Sequence, residues 1–598
     1  MDKKKVPIKY TSRDFDSIKK DLVDYAKRYY PDTYKDFSEA SFGSLMMDTV
    51  SYVGDILSFY LDYQANEGFL HTATEYNNVL KQGQQLGYKF KGASSAFGKC
   101  EFYIKVPANS AGLGPDSDYI PLLRKGTAVA STEGSTFLLT EDLDFNNPGN
   151  TVIAAEQNSS TGLPTYYAIR AVGKVISGEL GTETINVGDF ERFKRIKINT
   201  QNVAEIMSVF DSEGHQYYEV DYLSQNVVYR DVVNRNASAD TDPAAILKPF
   251  VVPRRFTVER TARTTYLQFG YGSDSETNIS SVADPSEIVL QQFGKPYTSG
   301  DSFDPSKLLD TDKFGIAPSN TVLTVAFRKN AVGNTNASAN SVTNVVTPKV
   351  VFKDPSVLNA KLKNAVRSSL ECDNETPLVG NVNNPSLQEL KVQIADTFAS
   401  QHRAVTQQDY KAMVYAMPPQ FGAIKRCTIF RDSDSFKRNL NLYVISENNN
   451  GDLTATSETI KKNLKTWLGG NKMINDTVDI LDAKVVNIQI EWTAITDPNI
   501  NKWEILEKAN TRLKERYTLK MDIGEEFSID EVYRLLNRVS GINDVTNVRI
   551  KNKFDTGYSS IGYNIRQNTS ADGRTISVPK NVILEIKYLD TDIIGTVK

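Results

Sequence analysis

The segment Phe37–Phe69 constrains the fold most, because its apolar residues follow helical spacing on two sides. One stripe recurs at alternating intervals of four and three residues and consists of Met46, Val50, Val53, Leu57 and Tyr60. This heptad alternation is typical of a helix that packs along another helix. A second stripe beside it consists of Leu45, Tyr52, Ile56 and Phe59. We expect one helix over Ser38–Tyr63, with Asp36 and Glu39 at its N-terminal cap.

Both apolar stripes of this helix must be buried against other parts of the chain or against a partner. Full burial of nine such side chains would contribute on the order of 15–25 kcal/mol before the entropy cost. The flanking segments predict two more amphipathic helices, over 15–29 with Thr11 or Ser12 as the cap, and over 72–86 with Gly87 as the stop. Residues 1–92 therefore predict an N-terminal helical bundle segment.

The pattern changes to short strands after residue 92. Residues 101–106 (EFYIKV) alternate polar and apolar side chains, and Glu213-Gly214 is a hairpin turn signal. This pattern of short strand-like runs predicts a central mainly-β domain over 93–345, with loop-rich interruptions near 234–245 and 274–318. Helical patterns at 357–370 and 387–398 then predict a helical connector over 346–400.

The C-terminal third contains a diverged internal repeat. Thr406 and Asp409 form a capping-box pattern before a helix that leads to Gly422 and a strand. Ser528 begins a second helix that leads to Gly541 and another strand in the same order. We expect two related α+β modules, at 401–495 and 496–598. The predicted fold class is thus multidomain α+β, with helical, mainly-β and paired α+β parts.

Composition excludes several classes of protein. The near balance of 69 basic and 73 acidic residues, net charge -4, argues against a dedicated nucleic-acid binder. The sequence contains no run of 18 apolar residues, so it does not indicate a membrane span. Three cysteines far apart form no disulfide framework, which fits a reducing compartment.

Motifs for chemistry are missing from the sequence. It contains no GxSxG elbow, no HExxH and no GxxxxGK[ST] loop, and His402 is interpreted as a loop or interface residue. Phe269–Gly272 and Glu447–Asp452 are interpreted as turns rather than as nucleotide or calcium sites. We therefore predict no catalytic, cofactor-binding or metal-binding residues, and no enzyme activity.

Several stretches carry a family resemblance. Within residues 96–149, Ile120-Pro121, Lys125-Gly126-Thr127 and Glu133-Gly134 look like the opening strands of the baseplate J-like family of contractile tails. Further matches lie at 177–190, 211–229, 314–325, 403–426 and 439–446. Together they resemble the large baseplate wedge subunit of contractile-tailed phages of the large myovirus type.

The resemblance implies a structural subunit of the tail baseplate wedge, which forms the inner ring around the hub and rearranges on sheath contraction. It implies four partners: a second copy of the chain, an elongated wedge protein joined through a helical bundle, a small sheath-initiating baseplate protein, and neighbouring wedges in a ring. It places the chain in the virion, after assembly in the host cytoplasm. The C-terminal modules would supply ring or dimer contacts.

The resemblance also divides the two stripes. We expect Met46, Val50, Val53, Leu57 and Tyr60 to form the intermolecular seam, and the second stripe to pack within the chain. Three alternatives stay open, and the first is the wedge subunit of a non-viral injection machine. A tail-associated glycan-processing enzyme would need two carboxylates about 5–10 Å apart in a cleft. A glycan-binding adhesin is suggested only by the aromatic content of the β region.

Overall fold

The computed structural model describes residues 13–33, 38, 41–92, 94–109, 114–160, 162–233, 245–261, 264–273, 314–331, 333–382, 384–432, 439–498 and 500–598. The expected caps Thr11, Ser12, Asp36 and Glu39 lie outside the described residues, as do 234–244 and 274–313 of the two loop-rich regions. The chain divides into a first unit, residues 1–89 and 385–395, and a second unit, residues 90–384 and 396–598.

The fold is multidomain α+β, as predicted: an N-terminal helical segment, then mostly β structure, then α+β modules. The helices in the described part of the chain are α1 Phe15–Tyr29, α2 Phe42–Glu67, α3 Tyr76–Gln85, α4 Ala360–Ser368, α5 Leu387–Ser400, α6 Gln407–Ala416, α7 Glu458–Gly469, α8 Lys502–Tyr517 and α9 Ile529–Asn537. Short 3-10 helices lie at Ser117–Tyr119 and Pro419–Phe421.

The strands of the β region are β1 Phe97–Pro107, β2 Leu122–Leu123, β3 Ala128–Ser131, β4 Thr136–Leu139, β5 Leu143–Asp144, β6 Thr151–Gln157, β7 Pro164–Ser177, β8 Glu179–Val187, β9 Arg195–Ile198, β10 Val203–Phe210, β11 Gln216–Glu219, β12 Val227–Val233, β13 Ala245–Val251, β14 Arg255–Arg260, β15 Thr265–Phe269, β16 Thr321–Lys329, β17 Val342–Thr347, β18 Val350–Val351 and β19 Glu371–Asp373. Those that follow are β20 Arg426–Arg431, β21 Leu440–Glu447, β22 Leu453–Thr454, β23 Val478–Asp482, β24 Lys484–Thr496, β25 Phe527–Ser528, β26 Ile542–Lys553, β27 Thr575–Ile576, β28 Val582–Glu585 and β29 Ile593–Val597.

In the first unit, α3 packs against the first half of α5. A Cβ on Gly83 would lie 2.7 Å from Cδ1 of Ile394, so the two helices are in close contact there. Val79, Leu80 and Leu390 are buried around this contact. Residues 385–395, which the sequence assigns to the connector, thus cluster with the N-terminal helices.

The β region contains two seven-stranded sheets. The first has the order β17-β3-β4-β7-β1-β19, with β6 paired to β7, and the second has the order β8-β16-β10-β11-β14-β15-β9. Strands β1 and β7 pair antiparallel from Phe97↔Ile176 to Pro107↔Tyr166. The predicted turn at Gly214 is confirmed: its φ is +88° and its N–H donates to the Asp211 carbonyl at 3.1 Å.

The two C-terminal modules contain the same two structural units, which follow each other in opposite order along the chain. In the first, a helix–glycine–strand unit (α6, Gly422, β20) precedes a strand–helix unit (β21, α7). In the second, the strand–helix unit (β24, α8) comes before the helix–glycine–strand unit (α9, Gly541, β26). In both sheets the strand of the strand–helix unit is central, with the β20 or β26 partner antiparallel and a later strand, β23 or β29, parallel.

The helix–glycine–strand units share further details. The predicted capping box of Thr406 and Asp409 forms at the start of α6, and the Ser528 hydroxyl accepts from the Glu531 N–H at the start of α9. Both Gly422 and Gly541 have positive φ angles, of +95° and +99°. These features explain why the sequence patterns of the two modules resemble each other although their strand orders differ.

Strand β24 joins the C-terminal sheet. It begins at Lys484, before the expected boundary at 495, and pairs with β26, β28 and β29. The buried Glu585 carboxylate then connects the two modules. It accepts from the Leu453 N–H of the first module at 2.9 Å, and within its own module it accepts from Lys520 Nζ at 2.7 Å. The Leu453–Glu585 hydrogen bond thus links the two modules.

Candidate functional site

Helix α2 begins at Phe42 rather than at Ser38, because Ser41 caps it. The Ser41 hydroxyl accepts from the Ser44 N–H at 3.1 Å, which satisfies one of the free donors at the helix start. The helix then continues to Glu67, four residues beyond the expected end at Tyr63. Its length and apolar content make it the largest exposed apolar element of the N-terminal segment.

Helix α1 packs antiparallel to α2, against the small and polar side chains of α2. Arg13 Nη1 lies 2.7 Å from Asp62 Oδ1, and Lys19 Nζ lies 2.7 Å from Asp48 Oδ1, so the start of α1 is near the end of α2. Between these ion pairs, a Cβ on Gly54 would lie only 3.1 Å from Cδ1 of Ile18. The contact therefore depends on close backbone approach and on charge pairing rather than on large apolar side chains.

The side of α2 that faces α1 has its own heptad pattern. Serine and aspartate alternate at intervals of four and three residues, in the order Ser44, Asp48, Ser51, Asp55, Ser58 and Asp62. Ser44 and Ser51 are buried, and Asp48 and Asp62 form the ion pairs with α1. The heptads predicted from the sequence are apolar and do not include this one, although its spacing is equally regular.

The five residues of the expected seam are exposed in the single chain. Their exposed fractions are 51% for Met46, 53% for Val50, 49% for Val53, 57% for Leu57 and 60% for Tyr60. At about 100° per residue, this stripe lies about 160° around α2 from the serine–aspartate heptad. It therefore points away from α1, in the direction open to a partner.

The second stripe does not pack within the chain as expected. Leu45, Tyr52 and Phe59 are 60%, 60% and 66% exposed, and only Ile56 is half-buried. The expectation is wrong for those three residues because α1 occupies the serine–aspartate side of α2 and α3 packs with α5 instead. Both apolar stripes are consequently available to other chains.

Together the stripes form one broad apolar arc on α2. Viewed down the helix axis, the arc begins on the side of Phe59, passes Tyr60 and ends on the side of Leu61. At 100° per residue it covers about 200° of the helix circumference. From Phe42 to Leu61 this arc contains no charged side chain. A helix packed on one side buries a stripe of about 100°, so the arc of α2 has room for two neighbouring helices.

The corner between α2 and α3 is fixed by one carboxylate. Glu67 accepts from the N–H and the hydroxyl of Thr74, each at 2.6 Å, and from Asn78 Nδ2 at 3.0 Å. The side-chain hydrogen bonds from Thr74 and Asn78 lower the pKa of Glu67 to about 2. Its ionised form thus ends α2 and orients the start of α3.

Two buried cysteines of the described residues are unsuited to act as nucleophiles. Burial raises the pKa of the Cys372 and Cys427 thiols to about 12, the opposite of what a nucleophilic cysteine requires. Among the residues that the structure describes, no group of three or more His, Cys, Asp or Glu side chains could hold a metal ion. No helix in the described ranges is long and apolar enough to cross a membrane.

Comparison with known proteins gives one family match. Residues 14–85, which contain α1, α2 and α3, match the family described as bacteriophage baseplate protein, N-terminal domain. No curated protein matches the chain. The family match supports a structural role in a baseplate, and it covers the helices that carry the exposed apolar arc.

Two solved structures show low similarity. A chain of the cryo-EM structure of the anti-feeding prophage (AFP) baseplate has a TM-score of 0.26 and 10% identity, over 97% of this chain and 100% of that one. A chain of the type VI secretion system TssK-TssF-TssG baseplate subcomplex has a TM-score of 0.23 and 8% identity, over 74% and 96%. We draw no structural argument from either.

Proposed function

We propose that this chain is a structural, non-enzymatic subunit of the baseplate wedge of a contractile phage tail. The observation that carries the proposal is the uncharged apolar arc of α2, exposed within the segment that matches the baseplate N-terminal domain. Covering the five seam residues would contribute on the order of 5 kcal/mol, since each is already about half buried. A partner helix is the natural cover for a heptad stripe.

The width of the arc supports a core bundle with two foreign helices. One would pack on Met46, Val53 and Tyr60, and the other on the stripe that contains Leu45 and Phe59. In the proposed assembly these helices come from a second copy of the chain and from the elongated wedge protein. The small sheath-initiating protein attaches to this bundle.

The remaining domains supply the ring. In this proposal the β-rich region at 93–345 and the connector at 346–400 position the two α+β modules, at 401–495 and 496–598. These modules contact neighbouring wedges around the hub. Rearrangement on sheath contraction would be a rigid-body movement, because the Leu453–Glu585 hydrogen bond and the Arg426–Asp522 ion pair join the two modules. The subunit would be assembled in the host cytoplasm and would reside in the virion.

Co-expression tests the core of the proposal. The chain is co-expressed with the tail proteins of the same genome, and any complex is measured by size exclusion and light scattering. Val53→Asp together with Leu57→Asp should abolish the complex, because two carboxylates would be placed in an apolar seam. The modules at 401–598 should keep their thermal unfolding transition.

A matched variant controls for surface charge. Val357→Asp together with Leu519→Asp changes the same residue types at positions that are 83% and 56% exposed on the second unit. This variant should assemble like the wild type. Assembly by the Val53→Asp/Leu57→Asp chain, or failure of the wild-type chain to bind any wedge protein, would reject the proposal.

A further inference from the structure

An open cavity of about 420 Å³ lies at the C-terminal end of α2, inside the corner with α3. Two threonines of the turn after α2 form one wall, and the end of α2 forms the other with Phe59, Asp62, Tyr63, Asn66 and Glu67. The rings of Phe59 and Tyr63 stack, with their centroids 6.3 Å apart. A cavity of this volume has room for a large side chain.

The cavity continues the line of the second stripe. Residues on this side of α2 recur at intervals of seven, in the order Leu45, Tyr52, Phe59 and Asn66. Positions seven apart lie on one side of a helix, and Asn66 is a wall of the cavity. A partner helix that packs on the second stripe therefore reaches the cavity about 10 Å beyond Phe59, at 1.5 Å per residue.

The charged groups around the cavity are mainly acidic. Glu67 is buried, its hydrogen bonds come from neutral donors, and its pKa of about 2 keeps it ionised at neutral pH. Glu75 lies beside it and accepts from the Tyr63 hydroxyl at 3.3 Å. Within the described residues, Arg13 is the one cation paired with these carboxylates, through Asp62. The surroundings of the cavity thus carry an excess of negative charge.

Aromatic walls beside excess negative charge fit one class of side chain. Arginine and lysine combine an apolar stem with a cationic end, so they match both features. A guanidinium also stacks on aromatic faces and pairs with carboxylates, as Arg13 does with Asp62 at this rim. An aliphatic side chain would leave the excess charge unbalanced, and an acidic one would be repelled.

We propose that the cavity receives an arginine or lysine side chain from the partner helix that packs on the second stripe. This inference rests on the proposed function, since it adds a chemical requirement to one of the two foreign helices. The partner helix should carry apolar residues opposite Leu45, Tyr52 and Phe59. Its basic residue should follow about two turns beyond the contact with Phe59.

Small probes test the cavity in the purified full chain, without any partner. N-acetylarginine amide supplies the cationic group, and N-acetylcitrulline amide is its neutral isostere. Saturation-transfer NMR should give a several-fold stronger signal for the arginine probe, because charge supplies much of the attraction. Asn66→Lys should reduce that signal several-fold. Equal signals from the two probes, or an unchanged signal in Asn66→Lys, would overturn the proposal.

A matched variant controls for the added charge. Asn537→Lys places a lysine at another exposed asparagine in the last turn of a helix, at the end of α9. This variant should bind the arginine probe like the wild type, and an equal loss in it would reject the cavity as the binding site.

The basic start of the same chain is the competing occupant. Lys3→Ser, Lys4→Ser and Lys5→Ser together should leave the probe signal unchanged. A stronger signal in this variant would show that these lysines occupy the cavity in the full chain. That result would reject a partner side chain as the occupant.

The wedge complex gives the second readout through the sign of the charge. Asn66→Lys should weaken the partner on the second stripe by about tenfold at low salt, and Asn66→Asp should strengthen it. Near the C-terminal end of a helix the macrodipole favours lysine over aspartate, so an effect on folding would give the opposite order. Weakening by both substitutions would overturn the proposal.

The inference and the proposed function fail in different ways. If a wedge complex forms but the two probes give equal signals, the basic side chain is rejected and the proposed function stands. If the wild-type chain binds no wedge protein, the proposed function is rejected, and the partner helix with it, whatever the probes show.

Discussion

Ile18 of α1 packs directly on the backbone of α2 at Gly54, where a Cβ would lie 3.1 Å from Cδ1 of Ile18. The two helices approach closely at this point because glycine has no side chain. On the opposite side α2 presents large apolar residues to solvent. Helix α2 thus turns its small side chains towards α1 and its large ones away from it, which fits a segment that completes its core with other chains.

The Gly54 contact predicts a graded response to side-chain size. Gly54→Ala should be nearly neutral, since a helix-propensity gain of about 1 kcal/mol offsets the small shift that Ile18 needs. Gly54→Leu should weaken the α1–α2 contact by about 1–3 kcal/mol through overpacking. Hydrogen exchange of residues 15–29 measures this. Equal protection in the leucine and alanine variants would show that α1 does not depend on the approach.

The second stripe predicts a change in complex composition. Leu45→Asp together with Phe59→Asp should remove one of two partner helices and leave the one packed on Val53 and Leu57, because the stripes lie on different sides of α2. Native mass spectrometry of the co-expressed wedge complex measures the composition. The Val357→Asp/Leu519→Asp chain is the control. An unchanged complex would mean that only one helix packs on α2.

The sequence predicted the helices and strands better than it predicted which elements pack against each other. The α2 heptad located a helix to within four residues at each end, and the pattern of Thr406 and Asp409 predicted a capping box that forms. These signals are local, since they depend on spacing along one segment. The packing of Leu45 and Phe59 depends on which side of α2 the α1 helix occupies, and there the expectation was wrong.

Long-range pairing could not be read from local patterns. Strand β24 was expected to close the first module, but it is the central strand of the second module's sheet. Its apolar alternation is the same in either position, so the sequence cannot choose between the two sheets. The same holds for β6, whose exposed edge depends on where β1 and β4 pair with β7.

The α2–α3 corner should be sensitive to acid. Hydrogen bonds from Thr74 and Asn78 depress the pKa of Glu67 from 4.5 to about 2, so its contribution to stability is complete above pH 4.5. It should fade as the pH falls from 4.5 towards 2, where the carboxylate protonates. Hydrogen exchange of residues 67–80 across this range measures the loss. Glu67→Gln should start with weaker protection and lack this pH dependence, and an unchanged pH profile in that variant would assign the effect to another group.

The two module glycines predict matched sensitivities. Gly422 and Gly541 have φ angles of +95° and +99°, and a Cβ on each would meet an isoleucine of the neighbouring helix: Ile460 Cγ1 at 3.0 Å and Ile505 Cδ1 at 2.8 Å. Alanine at either position should destabilise the chain by about 1–3 kcal/mol, from the left-handed backbone and the steric contact together. Gly562→Ala, with open space around it, should change stability by less than about 0.5 kcal/mol.

A double-mutant cycle separates the two causes at Gly541. Ile505→Val removes the Cδ1 atom that the new Cβ would meet, so it should recover part of the cost of Gly541→Ala. The backbone part should persist in the double variant, because valine at 505 does not change φ at 541. Chemical denaturation of the full chain measures each free energy of unfolding. Purely additive costs would mean that the contact with Ile505 relaxes freely, and that backbone conformation alone requires glycine there.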